Sequence, residues 1–133
     1  MSKSAIYVAN TSAQAVAVNG VIGLGSTVRR FGCAANLSGN AINIDEAGYY
    51  DVNVSVTAEP TAIGTVTVTL LNNNFAVPGA TASATVSAAN TPINVAFDRI
   101  VRVFCGANTG ALTLVLSGTA SDVTNVAMVV NKL

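Results

Sequence analysis

The sequence contains no histidine and no tryptophan. Without imidazole, the Ser-His-Asp and Cys-His nucleophile arrangements and histidine metal sites are excluded. Charge is nearly as scarce: 9% of the 133 residues, six basic and six acidic, with a net charge of zero. An ordinary globular chain carries roughly 25%. A neutral chain without a basic patch is not built to bind nucleic acid. No apolar run reaches the 18 or so residues of a membrane span, although mean hydropathy is high at +0.57. The opening MSKSAIYVAN lacks the apolar core of a secretory signal. One domain is all that this length holds.

What is present points to a structural or binding module rather than an enzyme. A folded monomer of 13.3 kDa exposes on the order of 6,400 Å². Twelve charged side chains are sparse cover for that surface. A large, permanent interface with other copies would hide the excess apolar and small residues. The other cover available is Asn, Thr and Ser, and both can hold together.

Apolar and polar residues alternate with period two almost throughout, and helical spacing is nearly absent. In residues 49–60, Tyr50, Val52, Val54 and Val56 share one parity, and Asp51, Asn53 and Ser55 the other. In residues 64–71, Val66, Val68 and Leu70 alternate with threonines. Ile93, Val95, Phe97, Val101, Val103 and Cys105 share a parity, as do Leu112, Leu114 and Leu116. This is the half-buried strand pattern, carried largely by β-branched residues. Turn signals separate the runs, among them Asn19-Gly20, Ser38-Gly39-Asn40, Asn72-Asn73-Asn74 and Ser117-Gly118. About eight to ten antiparallel strands are expected, in a sandwich, jelly roll or small barrel. Residues 79–91 are small and polar, and read as a close-packed strand or a long surface loop. Residues 4–18 alternate weakly and are expected to pair at a sheet edge.

Few constellations suggest chemistry. Cys33 and Cys105 are expected as buried thiols, with one disulfide possible if their strands are neighbours. The glycines in GVIGLG (20–25) are in the wrong order for a dinucleotide fingerprint and read as bends. Asp45, Glu46 and Asp51 fit no calcium loop and are expected to solubilise a turn and a strand edge. Arg29, Arg30, Arg99 and Arg102 hold four of the six positive charges. They read either as partners for Asp98, Asp51 or Glu59, or as a ring near a symmetry axis. The Asn-x-Ser/Thr triplets at Asn10, Asn36 and Asn53 carry no weight without a secretion signal.

Five stretches, taken together, resemble a known family. They are AINIDEAGYYDVNVSV (41–56), GTVTVTLLNNNFAVPGA (64–80), PINVAFDRIVRVF (92–104), ALTLVLSG (111–118) and VTNVAMVVNKL (123–133). Their order and spacing, with Gly48 and Tyr50 as a Gly-x-Tyr element and Val77-Pro78-Gly79 after an Asn-rich tip, is similar to the trimeric jelly-roll heads of the tumour necrosis factor and complement-head superfamily. The closest likeness is to the head of bacterial collagen-like exosporium glycoproteins and, in general style, to phage and prophage surface heads. The chain departs from the exosporium proteins in having no Gly-X-Y region.

The resemblance implies an all-β, two-sheet jelly-roll sandwich assembling as a homotrimer. A domain over 16–133 would follow an N-terminal arm or edge strand over 1–15, through which the trimer could attach to a larger particle. The resemblance places aromatic residues near the axis, with Tyr50, Phe97 and Phe104 the candidates; Arg99, Val101 and Leu114 complete the expected interface. The function it suggests is non-enzymatic: a decoration module on a virion, or on a spore or cell surface. The alternative is a head that binds a glycan or receptor through residues 72–74 and 106–110. No catalytic residue, cofactor or metal is expected.

Overall fold

Period-two alternation demands a partner layer for every apolar face, and the chain supplies two sheets that cover each other. The computed structural model describes residues 3–103 and 110–133. Eleven strands run through them: β1 (Ala5–Asn10), β2 (Gln14–Val16), β3 (Ser26–Phe31), β4 (Ala35–Ser38), β5 (Ala41–Ile44), β6 (Gly48–Pro60), β7 (Gly64–Asn72), β8 (Phe75–Val86), β9 (Ile93–Val103), β10 (Gly110–Ser117) and β11 (Ser121–Lys132). Sheet A has the order β3-β1-β11-β6-β9, with β2 also on β11. Sheet B has the order β4-β5-β10-β7-β8. Every pairing between them is antiparallel.

Two expectations change. The strands number eleven because Ser38-Gly39-Asn40 closes an additional hairpin, β4 to β5. The N-terminal segment divides: β1 is not an edge, since it lies between β3 and β11 and pairs with both, whereas β2 pairs with β11 alone. Its partner β11 is the last strand of the chain, a pairing that local alternation does not reveal. Residues 79–91 divide, the first part continuing β8 to Val86 and the rest turning toward β9.

The core lies between the sheets. Sheet A contributes Ile6, Val8, Val52, Val54, Val56, Met128 and Val130, and sheet B contributes Val66, Val68, Leu70, Leu112, Leu114 and Leu116, all at 1% exposure or less. Burying each such side chain stabilises the fold by roughly 1.5–3 kcal/mol. The two-residue tip joining β7 to β8 is Asn73-Asn74, with φ of 53° and 68°. Positive φ at both positions defines the primed turn whose twist suits a hairpin, and asparagine tolerates it.

Sheet B keeps its outer face wet without charge. Thr65 pairs with Thr85 at 2.9 Å, Thr67 with Ser83 at 2.8 Å and Thr69 with Thr81 at 3.3 Å, hydroxyl to hydroxyl across β7 and β8. The sandwich is closed at both flanks by arginine. On edge strand β3, Arg30 Nε donates to the Ala35 carbonyl of β4 at 2.7 Å. On edge strand β9, Arg99 Nε donates to the Gly79 carbonyl of β8 at 2.7 Å. Each edge of sheet A is thus fastened to the facing edge of sheet B by a charge-assisted bond.

Candidate functional site

The predicted interface residues do not share a surface. Tyr50 and Leu114 are 0% exposed, and Phe97 and Val101 are also buried. They fill the protomer's own core and present nothing to a neighbour, because their parity faces the opposite sheet. Arg99 has that inward parity too, but at an edge strand it escapes sideways to the Gly79 carbonyl. Phe104 lies outside the described residues, as do Cys105 and most of the 106–110 segment. Cys33 is exposed rather than buried, since the chain bends at Gly32 after β3 and carries it away from the core.

Tyr50 is anchored as well as buried. Its hydroxyl donates to the Glu46 carbonyl at 2.7 Å. Burial first, then the charges of Glu46 and Asp45, hold its phenol above the ordinary 10.0. The neutral phenol is therefore favoured by folding. Its contribution is complete below pH 10 and declines as pH rises beyond that. Tyr50→Phe should lower stability by about 1 kcal/mol at neutral pH through the lost hydrogen bond. It should also remove part of the alkaline decline, which urea midpoints at pH 7 and above pH 10 would measure.

The three neighbouring acids go separate ways. Asp45 accepts from the Asn36 amide at 3.2 Å. Glu46 pairs with the Lys132 ammonium. Asp51 lies diagonally across from Asp98 on the neighbouring strand, and both line one hollow. Among the described residues no group of three potential metal ligands forms.

Asp51 and Asp98 lie on the outer face of sheet A, and strand register orders that face into rows. One row runs Arg29, Tyr7, Val129, Asn53, Asp98 from β3 to β9. The next runs Phe31, Ala5, Asn131, Asp51, Ile100. In these two rows the β3 end carries Arg29 and the β9 side carries Asp98 and Asp51, while Arg102 stands one row further along β9 on the same face. Interaction with the Asp98 side chain, burial and the Asp98 charge push the Asp51 carboxyl above its ordinary range. Each end also exposes a large apolar side chain, Phe31 at 58% and Ile100 at 62%. Beside Phe31, a hollow of about 180 Å³ opens between Ala5, Tyr7, Arg29 and Val129.

A second hollow, of about 320 Å³, lies on the β8–β9 flank. Asn72, Phe75, Pro78, Ile100 and Arg102 line it. Phe75 is the most exposed large apolar residue described, at 78%. Asn72 Oδ1 is buried and has no partner among the described residues. Arg102 lies over the Tyr49 ring, 5.7 Å from its centre. Sequence reasoning singled out the Asn-rich tip but not Phe75 or the acid pair, which only register brings together.

No family model matches the chain, and no curated protein does. Solved structures do match, over nearly the whole length. Murine APRIL superposes with a TM-score of 0.75 at 10% identity, covering 99% of this chain and 100% of that one. The globular domain of zebrafish complement 1qA gives 0.68 at 7% identity, over 97% and 95%. The PRD1 vertex protein P5 gives 0.57 at 11% identity, over 97% and 95%. The architecture is an all-β jelly-roll sandwich of two antiparallel sheets. More narrowly, it is the head fold of the tumour necrosis factor and complement-head proteins, as the sequence resemblance implied.

Proposed function

We propose that the chain is a non-enzymatic, homotrimeric structural head that decorates a virion surface, with a spore or cell surface as the other setting. The observation that carries this reading is whole-chain likeness to a vertex protein as well as to head domains. The sparse charge, 9% of residues, agrees with it, because such a surface favours permanent burial against other copies. Light scattering behind a sizing column should give about 40 kDa, three times 13.3 kDa, unchanged from micromolar to nanomolar protein. A 13.3 kDa species would reject the trimer. Peptide mass spectrometry should find the chain in density-banded particles from its source, and absence from every band would reject the decoration role.

A binding head is the second reading, and the β8–β9 flank is what favours it. Phe75 offers a ring face for a sugar, and the buried Asn72 Oδ1 is an unused acceptor beside it. Three copies would add avidity to a weak site. A glycan array probed with the purified protein should then show binding that Phe75→Ala abolishes. An array with no binding leaves the structural role alone.

A further inference from the structure

We infer that the outer face of sheet B is a contact surface between separate heads, each packing face to face against the same surface of another. It lies on the opposite side of the sandwich from the outer face of sheet A. The inference rests on the homotrimer reading only for the number of such faces on each particle.

The distribution of charge carries the assignment. None of the six basic and six acidic residues falls within β4, β5, β7, β8 or β10, so the strands put no charge on this face. Register sets its outward side chains in rows: Ser117, Thr67 and Ser83 make one, and Val115, Thr69 and Thr81 the next. An exposed face is ordinarily kept apart from its like by charged side chains. This one has no such guard.

The partner follows from what covering the face costs. Its hydroxyls already satisfy one another, Thr65 with Thr85, Thr67 with Ser83 and Thr69 with Thr81. Covering a hydrogen-bonded hydroxyl strands no donor or acceptor, and covering an uncharged face desolvates no ion. The side chains are short, so holding them still costs little rotamer entropy. Apolar contact is left as the net gain, and Val115 supplies it together with its bridge partner Val21, 48% exposed. A charged partner would lose hydration here with no counter-charge in return. The complement of a neutral face is another neutral face, and where heads crowd a surface the one in greatest supply belongs to the next copy. That arrangement is isologous, with a two-fold axis between the two faces.

Size sets the strength. Five strands about 4.8 Å apart, each presenting about 20 Å of length, offer about 500 Å² a side. The total, about 1,000 Å², is the lower limit for a specific interface. One contact is therefore weak, and three on each trimer reinforce one another when heads are crowded.

Light scattering from micromolar toward millimolar protein should show the mass rising above the trimer. The rise should be as large at high salt as at low, because no ion pair holds it. Ser83→Lys and Thr81→Lys each bury a charge without a counter-charge and should weaken the association about 100-fold. Both positions are exposed. Circular dichroism, with the trimer mass at nanomolar protein, checks that fold and trimer are intact. Thr81→Lys disturbs folding least, because the Thr81 bond to Thr69 is the longest of the three at 3.3 Å. A trimer whose mass never rises would overturn this face and leave the trimer standing. So would an association that weakens with salt or ignores both lysines. A wild-type monomer would overturn the trimer reading, and pairing of that monomer lost in both lysine variants would still uphold the face. Lysine-sensitive retention on an uncharged polysaccharide resin, by a trimer that never self-associates, would give the face to a neutral glycan and overturn the inference.

Discussion

Leu114→Ala should lower the stability of the protomer by about 2–5 kcal/mol. Leu114 is on β10, an interior strand of sheet B between β5 and β7. It is 0% exposed, between Leu112 and Leu116 on the same face, which are equally buried. Truncation removes apolar burial and leaves a cavity that two hydrogen-bonded neighbouring strands cannot collapse to fill. Against a total stability of about 5–15 kcal/mol, that loss is large. The measurement is the urea midpoint at several protein concentrations, which separates the protomer's own stability from that of assembly. A residue of a subunit interface would behave otherwise, weakening the oligomer while sparing the protomer. A protomer unchanged by Leu114→Ala would therefore return Leu114 to the interface and put the core assignment in error.

Gly25→Val should be more damaging still, with little folded protein recovered. Gly25 has φ of +77°, a conformation that costs a side-chain-bearing residue about 1–2 kcal/mol before any contact is counted. A Cβ there would lie 2.2 Å from the Ala9 carbonyl oxygen and 2.7 Å from the Asn10 Cα. Those atoms belong to β1, which is held on both sides and cannot retreat. The combined penalty is at least about 3 kcal/mol. Gly39→Ala is the matched control. Its φ of +60° carries a similar backbone cost, but nothing lies within 4 Å of an added Cβ. It should lose only about 1–2 kcal/mol. Equal losses at the two glycines would show that the Ala9 contact is not what sets the penalty.

The sequence disclosed the two-faced strands but not the identity of each face. Alternation places Val95, Phe97, Arg99 and Val101 on one side of β9. It does not tell a face turned to the other sheet from one turned to another subunit, since both are apolar. That is why Tyr50, Val101 and Leu114 were expected at an interface and are found in the core. The outer face of sheet A was illegible for a different reason. Arg29 and Asp98 are 69 positions apart in the chain, and only the register of four strand pairings puts them on one row. The Arg30 and Arg99 bonds left no trace either, because their acceptors are main-chain carbonyls. By contrast, the Asn72-Asn73-Asn74 turn was plain, since its conformation is a local property of asparagine.

Those two arginine bonds also bear on how such a chain can diverge. Arg30 and Arg99 ask their partners for a carbonyl oxygen, which every amino acid carries. The fastening does not read the side chain at Ala35, which is constrained only by its own burial in the core, and Gly79 is constrained by its φ of +77°. The donors have no such latitude, because lysine lacks the planar fork and the Nε–H that makes each bond. Selection acting to keep the two sheets shut would therefore fall on one side of each flank only. On the strands opposite, the outward-facing positions are left free to change their chemistry, which is where a head that must suit new surroundings can vary without coming apart.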